Sequence, residues 1–480
     1  DSYRIPAAPW LVIVSYASLH SPLIVGQRRW GVVVADEAHR LRNPTTITSK
    51  SFTKLVAKHV VFLTGSPLQN NVDELFGLWS ALVLGDLFCQ RNTLTEYHGS
   101  AASHAPVRHE YIQIVDLIKS APNKHNILKT LLQCRMLRRL KRNIADLGIP
   151  PVQENVIVLS LSNSNRTQYH QLQQRRRVDG KNWTSQHQFL SLRKMTFHTH
   201  LLPFPPHVVQ LIAKDIVACN LWENYTFELC CEYLSKTPRY VVSSDVMSKL
   251  REEAQNRAEG LPSLVYDLTI NSLLNSAKMN WLSIHVPKLL QPSSNNNNRP
   301  QNRILIFAVW TMILDQIGQL FDHLHVPFMR IDGNVPQSQR SQTINCFNSP
   351  DCTGVHVMLL STLSCGHGLN ITSANVVIFP QVSLNPVHDM QALDRAHRIG
   401  QTKVVSVYKL YVRNTIDELI YRKGIAKVTA TTAVVETGPS HAVEGDGISI
   451  NHDLVVEYLK NDLQNQARVA AQEGGSGREK

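Results

Sequence analysis

The stretch VVVADEAH, residues 32–39, decides the fold class of this chain. Its apolar half, Val32 to Ala35, is typical of a buried parallel strand, and it runs straight into the acids Asp36 and Glu37. Parallel α/β folds bind their ligands at the edge of the sheet where the carboxyl ends of the strands meet. The stretch therefore predicts an α/β fold with two carboxylates at its ligand-binding edge.

The residues on both sides repeat this alternation of short apolar runs and amphipathic stretches. Leu11 to Val14 and Val60 to Leu63 are predicted to be further strands of the same sheet. Asn71 is expected to cap a helix that extends to Leu82, with Glu74 in the capping-box position. Residues 1–100 are therefore interpreted as one α/β domain.

A second α/β domain is predicted over residues 276–427, with a helix around Met312 to Phe321. Its strands are predicted at Ile304 to Phe307, Val326 to Ile331, Val355 to Leu360, Val376 to Phe379 and Val404 to Tyr408. Residues 101–275 are interpreted as a helical insertion and inter-lobe linker. Residues 428–480 are expected to form a partly disordered tail.

Composition limits the classes of protein to which the chain can belong. Lys and Arg total 49 against 37 Asp and Glu, and the resulting charge of +12 favours a polyanionic partner. No apolar run approaches the roughly 20 residues of a membrane span, and no secretory leader follows Asp1. The 8 cysteines form no C-x-x-C pair, which disfavours a zinc module and a disulfide framework. We therefore expect no membrane contact and a reducing compartment.

The acids at the end of the first quoted strand suit nucleotide hydrolysis. In that interpretation Asp36 holds a Mg²⁺ ion, directly or through water, and Glu37 polarises the attacking water. The structural alternative is an acidic helix start in which Asp36 is only a cap.

Thr64, Gly65 and Ser66 follow the strand predicted at Val60 to Leu63. Because parallel strands end at one edge, their hydroxyls are expected beside Asp36. There they can relay changes at a nucleotide to a DNA-contacting surface. An ordinary polar turn is the alternative, and the stretch taken alone favours it.

The run QALDRAHRIGQ, residues 391–401, carries the strongest chemical signal of the second domain. On a helix, Gln391, Arg395 and Arg398 lie at positions i, i+4 and i+7 and share one face. Two guanidinium groups and an amide on one face suit a γ-phosphate, whose transition state an arginine finger stabilises. The alternative is a solvated basic helix, but Gly400 is expected to end the helix directly after the pair. We therefore predict that these arginines face Asp36 and Glu37 across a shared crevice.

Two glycines follow the strand predicted at Val355 to Leu360. Gly366 and Gly368 stand between Ser361-Thr362 and Asn370. Glycines after a strand let the backbone approach a phosphate of DNA or of a nucleotide closely, although two glycines alone are weak support.

These segments occur in an order that resembles the motif series of the Swi/Snf family of helicase-like ATPases. The resemblance rests on DEAH (36–39), TGSPLQNNVDELFGLWSAL (64–82), LRRLKRNI (137–144), ILIFAVWTMILDQI (304–317), IDG (331–333), LLSTLSCGHGLNITSA (359–374), Asn385-Pro386 and DRAHRIGQTKVVSVYKL (394–410). Order and spacing match over roughly Leu11 to Arg422, with a divergent middle.

The resemblance implies two RecA-like lobes that close on ATP and Mg²⁺ and track along double-stranded DNA or chromatin in the nucleus. It implies that Asp36, Glu37, Arg395 and Arg398 are catalytic. Further ATP-binding residues would be Gln391, Gly366, Gly368 and His39, and residues for DNA binding or coupling would be Thr64, Gly65, Ser66, Ser361, Thr362 and Asn370. Protein partners are expected through residues 101–275.

The sequence also departs from the family pattern. No G-K-[ST] loop occurs, since the only Gly-Lys pair, Gly180-Lys181, is followed by Asn182. We therefore expect a first lobe truncated before its strand Leu11 to Val14, in a chain that is inactive alone. The alternatives are an ATPase-inactive paralogue that binds DNA or chromatin and, less favoured, an RNA helicase.

Overall fold

The computed structural model describes residues 11–21, 24, 29–65, 77–78, 136–137, 148–174, 185–202, 206–218, 226–236, 273–291, 302–352, 354–362 and 369–436. The chain divides into two compact units, with boundaries between residues 138 and 139 and between residues 427 and 428 in the described part. Among the described residues, the first unit comprises those within 11–137 together with 428–436, and the second those within 148–427.

The first unit is built on two parallel strands, β1 (Arg29–Ala35) and β2 (Val56–Phe62). Ala35 pairs with Phe62, so both strands end at the same edge. A 3-10 helix (Ala38–Leu41) and the short helix α1 (Ile47–Phe52) connect them. One cluster of buried apolar side chains packs this unit: Leu19, Ala35, Ala38, Leu41, Phe52, Leu55 and Leu78.

The strand predicted at Leu11 to Val14 is wrong. Residues 11–15 pair with no strand in the described part of the chain, and Leu11 and Ile13 are 87% and 89% exposed. The run leads into a 3-10 helix (Tyr16–Ser18) that Ser15 caps by accepting a hydrogen bond from Ser18 N. A short apolar run does not distinguish a strand from a helix entry by pattern alone.

The helix predicted from Asn71 to Leu82 lies outside the described residues except for Gly77 and Leu78. These two are helical and buried. A Cβ atom on Gly77 would lie 1.8 Å from Arg42 O, so this close approach of helix and backbone requires glycine.

The second unit contains a six-stranded sheet in the order β3-β8-β7-β4-β6-β5, and all neighbouring strands are parallel. The strands are β3 (Val152–Leu159), β4 (Ile304–Ala308), β5 (Phe328–Ile331), β6 (Val357–Ser361), β7 (Val376–Phe379) and β8 (Val405–Val412). The strands predicted for this domain are confirmed as β4 to β8, and β7 matches residue for residue. The parallel α/β fold class is therefore confirmed.

Helices cover both faces of this sheet. The helices described from residue 163 onward are α2 (Asn163–Gln174), α3 (Ser185–Phe197), α4 (Pro206–Ala218), α5 (Phe227–Lys236), α6 (Ala277–Leu289), α7 (Thr311–His323), α8 (Gln337–Asn348), α9 (Pro386–Leu393) and α10 (Ile416–Glu436). Ile304 and Ile306 pack with α6 and α7, whereas Leu305 and Phe307 pack with α8 and α9. Each fully buried apolar side chain stabilises the fold by roughly 1.5–3 kcal/mol. Within the described residues, no helix is both long enough and apolar enough to cross a membrane.

Strand β3 corrects the reading of residues 101–275 as helical. It pairs with β8 along its whole length, from Val152 opposite Val405 to Leu159 opposite Val412. It is an edge strand with Gln153, Glu154 and Asn155 among its apolar residues, so the continuous apolar run that marked the inner strands is missing. The remaining domain boundaries predicted from the sequence stay predictions.

Candidate active site

The acid turn, residues 36–39, follows β1 directly and is tied to the end of β2. Leu63 N donates to Ala35 O and Ala38 N donates to Leu63 O, both at 2.9 Å. Glu37 adopts a left-handed conformation with φ 50° and ψ 47°. This conformation is uncommon for a residue with a side chain, and it turns the chain sharply at the edge where β1 and β2 end.

His39 connects the acid turn to Thr64. Its Nδ1 lies 3.2 Å from Glu37 Oε2 and 3.4 Å from Thr64 Oγ1. Asp36 is exposed, and its Oδ1 accepts a hydrogen bond of 2.9 Å from Glu37 N. The structure therefore brings together Asp36, Glu37, His39 and Thr64, as the shared strand edge predicted. Gly65 follows exposed, and Ser66 lies outside the described residues.

Tyr16 supports the acid turn through a hydrogen bond to its backbone. The sequence analysis did not predict this role. Its hydroxyl donates to Asp36 O at 2.8 Å, and the Arg40 guanidinium stacks 5.0 Å from its ring centroid. Burial raises the pKa of Tyr16 to about 12, opposed by Arg40 and reinforced by the charges of Asp36 and Glu37. The phenol therefore stays a hydrogen-bond donor. No pattern around Tyr16 announces this contact, because it depends on how the segment folds back.

The acid turn presents oxygen ligands to a hard cation. Mg²⁺ is commonly held by one or two carboxylates together with water and phosphate oxygens, so Asp36 and Glu37 with Thr64 nearby are a fitting donor set. Within the described residues, no group of three or more His, Cys, Asp or Glu side chains forms a metal cluster of its own.

The arginine segment, residues 391–401, does not form the single helix predicted. Helix α9 ends at Leu393 with Asp394 as its cap, so Arg395 and Arg398 lie in the turns that follow. Gln391, Arg395 and Arg398 therefore do not share a helix face. The cause is tertiary, because Ile371 N donates to Arg395 O at 2.9 Å and pulls the backbone out of the helical path. Gly400, with φ 100°, completes the turns instead of ending the helix.

Gln401 holds the arginine segment together. It is 4% exposed, and its Nε2 lies 2.7 Å from Ala374 O and 3.1 Å from Thr372 O and Ala396 O. Its Oε1 accepts from Lys403 N at 2.9 Å. Gln401 follows Gly400 in the quoted run, but the sequence analysis predicted no role for it.

The predicted site residues of this segment differ in their surroundings. Arg395 is buried at 9% exposure, Gln391 is half-buried, and Arg398 is exposed. His397, between the arginines, hydrogen-bonds through Nε2 to Pro150 O at 2.8 Å, just ahead of β3. Arg398 is therefore the guanidinium open to a ligand, whereas Arg395 is part of the packed turn.

The remaining predicted residues lie near the end of β6. Ser361 and Thr362 are buried, and Thr362 N donates to Ala308 O at 2.9 Å. Asn370 is exposed, and its carbonyl accepts from Asn348 Nδ2 at 2.8 Å. Gly366 and Gly368 lie outside the described residues. That the acid turn and the arginine segment face one another stays a prediction.

Comparison with families of known proteins finds two matches in sequence order. Residues 6–202 match the SNF2-related domain, and residues 283–400 match the helicase conserved C-terminal domain.

Curated relatives resemble the chain over most of its length. ATP-dependent helicase fft1 of Schizosaccharomyces pombe is 29% identical over 454 residues, which are 93% of this chain and 43% of that protein. ISWI chromatin-remodeling complex ATPase ISW1 of Saccharomyces cerevisiae is 25% identical over 97% of this chain and 35% of its own length. Protein CHROMATIN REMODELING 19 of Arabidopsis thaliana is 28% identical, with 87% and 53% covered. The chain thus spans between a third and about half of these relatives.

A solved structure has a similar fold. The C-terminal part of the Fun30 ATPase domain superimposes with a TM-score of 0.52 at 21% identity, covering 66% of this chain and 99% of that one. At this identity the likeness concerns the fold alone.

Proposed function

The chain belongs to the Snf2 family of helicase-like ATPases, and from this membership we propose that it works as the motor of a double-stranded-DNA translocase. In this proposal two RecA-like lobes close on ATP, and hydrolysis moves them along the duplex. The activity serves chromatin remodelling, DNA repair or displacement of bound proteins in the nucleus.

The observation that carries the proposal is the acid turn. Hydrolysis needs a carboxylate that orients water next to one that holds the cation, and Glu37 follows Asp36 in a sharp turn at the ligand-binding edge. His39 lies within 3.2 Å of Glu37 and 3.4 Å of Thr64. A movement of Glu37 at the nucleotide would therefore displace His39 and, through it, the turn at Thr64. This displacement is proposed as the first step of coupling to DNA.

ATP and Mg²⁺ fit the donor groups present. Asp36 is suited to hold the cation, which neutralises charge on the phosphates, while Glu37 is suited to orient water. Arg398 is the exposed guanidinium of the arginine segment and is proposed to stabilise the transferred phosphoryl group. Arg395, being buried, is proposed to set the position of that segment.

Duplex DNA is the proposed polyanionic partner. The net charge of +12 supports it, and a motor that moves along DNA reads phosphates and not bases. Thr64, Ser66, Ser361, Thr362 and Asn370 are proposed as contact or coupling residues, and residues 101–275 as the docking region for protein partners. Affinity for a random duplex should fall steeply between low and physiological salt.

The test is DNA-stimulated ATP hydrolysis by the full-length gene product and its variants. Glu37→Gln should lower kcat roughly 10²- to 10⁴-fold, and Arg398→Ala roughly 10³-fold, with duplex binding retained. Arg413→Ala, an exposed arginine outside the arginine segment, is the matched control and should keep full activity. Equal turnover in all variants would remove both residues from the mechanism.

The alternative outcomes separate the other functions. A wild-type protein that binds duplex DNA but hydrolyses no ATP would be an ATPase-inactive paralogue that acts as a DNA- or chromatin-binding module. Stimulation by single-stranded RNA alone, with strand separation, would indicate an RNA helicase.

A further inference from the structure

A cluster of charged side chains, none of them among the predicted site residues, is buried in the second unit. It comes from the helices α3, α6, α9 and α10, and its members are 5% exposed or less: Arg193, Lys278, Asp389 and Asp417. We call these four residues the buried charge cluster. Lys278 and Asp417 form an ion pair, and Arg193 interacts electrostatically with both acids.

One side of the buried charge cluster fixes α3. Thr196 Oγ1, on α3, hydrogen-bonds Asp417 Oδ1 at 2.9 Å, and Ser276 Oγ, ahead of α6, hydrogen-bonds Phe197 O. Because Asp417 lies on α10 and Lys278 on α6, three helices are fastened around one carboxylate. These contacts fix the position of α3 and therefore of Arg193, which lies on it.

The other side reaches the loop that enters α9. Arg193 Nη2 donates to Val382 O at 2.9 Å, and its guanidinium carbon lies 5.1 Å from the Trp310 ring centroid. The next residue, Ser383, donates through both its backbone N, at 3.1 Å, and its hydroxyl to the carboxylate of Asp389. Arg193 thus holds the loop, and the loop holds α9.

The buried charge cluster is costly, which bears on its role. Burial lowers the pKa of Arg193 and of Lys278 and raises the pKa of Asp389 to about 6. Arg193 Nε has no hydrogen-bond partner among the described residues. Buried ion pairs are often replaceable by apolar side chains without loss of stability. A role in positioning the surrounding helices therefore explains these charges better than a contribution to stability does.

We propose that Arg193 is a positioning residue for the nucleotide site, acting through the loop Val382-Ser383 on α9 and thereby on Gln391 and Arg395. It lies within the residues matched to the SNF2-related domain, whereas α9 lies within those matched to the helicase C-terminal domain. The inference about catalysis depends on the proposed function; the inference about placement does not.

The test compares Arg193→Met with Arg303→Met in the full-length protein. Arg303 is a fitting control because its guanidinium also donates to backbone carbonyls and stacks on an aromatic ring. These contacts are with Phe347 O, Ser349 O and the Phe347 ring, 5.5 Å away, in α8 and the residue that caps it and not in the loop that enters α9. Both variants should lower the melting temperature. Arg193→Met alone should lower kcat roughly ten- to a hundredfold with KM for ATP and duplex affinity within twofold.

Two further variants protect the test against a folding defect. Ser383→Ala removes one hydroxyl from the same path and should lower kcat severalfold. Arg193→Lys keeps the charge but not the planar donor pair and should recover part of the activity. Equal kcat losses for Arg193→Met and Arg303→Met, or no loss in Arg193→Met and Ser383→Ala, would overturn the proposed effect of this positioning on ATP hydrolysis.

Hydrogen exchange gives a readout independent of ATP turnover. Arg193→Met should speed amide exchange in residues 382–396, and Arg303→Met should not. If the wild-type protein hydrolyses no ATP, the proposed function fails, yet faster exchange would still support positioning of α9. Unchanged exchange in residues 382–396 would overturn the proposal whatever the ATPase result.

Discussion

The acid turn and the arginine segment are organised over very different distances along the chain. Every contact described for the acid turn comes from residues 16–64. The arginine segment depends on Thr372 and Ala374 and on Pro150, 247 positions away from His397. The first is a local structure that follows from its own sequence, whereas the second takes its shape from the unit around it.

The largest predicted effect is a loss of stability of the second unit when the buried ion pair between Lys278 and Asp417 is broken. Lys278→Met leaves the carboxylate of Asp417 buried without its cation, which should destabilise the second unit by roughly 3–5 kcal/mol. Urea unfolding monitored separately for the two units by hydrogen exchange should show the loss in the second unit while the acid turn stays protected.

The double variant Lys278→Met, Asp417→Leu is the control. With both charges removed, most of the stability should return. A single variant as stable as wild type would mean that the pair does not hold the helices around the arginine segment.

A smaller and pH-dependent effect is expected at Asp389. Its pKa rises from the ordinary 3.8 to about 6, mainly through burial, so between these values the folded chain binds more protons than the unfolded chain. Stability therefore falls as pH rises through this window. Relative to wild type, Asp389→Asn should gain about 2 kcal/mol of unfolding free energy between pH 4 and pH 7. A constant difference across that range would contradict the assignment.

The smallest effect is expected at Tyr16. Tyr16→Phe removes one hydrogen bond to Asp36 O, worth about 1 kcal/mol. ATP turnover should fall about fivefold. Lys278→Met should leave the acid turn unaffected, and Tyr16→Phe should leave hydrogen exchange in residues 391–401 unchanged. Altered exchange there would break the comparison between a local and a long-range structure.

Local patterns carried the sequence prediction wherever a strand is buried on both sides. The apolar runs at Ile304 and Val376 identified inner strands. The run at Val32 also identified a strand, and the acids after it were correctly placed at the strand edge, but Val32 and Val34 are 56% and 57% exposed in the two described strands of the first unit. The same rule missed β3, whose polar residues suit a sheet edge, and it read Leu11 to Val14 as a strand. A hydrophobic pattern indicates which residues are buried, but it does not indicate which segments pair as strands.

The arginine segment shows where spacing misleads. Positions 391, 395 and 398 fit a helical period, but Ile371 N and the buried amide of Gln401 bind backbone carbonyls and end the helix at Leu393. The buried charge cluster was equally hidden, since Arg193, Lys278, Asp389 and Asp417 are widely separated in sequence. Contacts of this kind have no local signature.

The central proposal is that the acid turn and the arginine segment close on one nucleotide. Its most direct test is the distance between spin labels placed on exposed Lys50 and Ile399 in a variant without native cysteines, measured by pulsed electron resonance. A non-hydrolysable ATP analogue with Mg²⁺ and duplex DNA should shorten and narrow the distance distribution, and Arg398→Ala should weaken that response. An identical distribution with and without nucleotide and DNA would contradict the account.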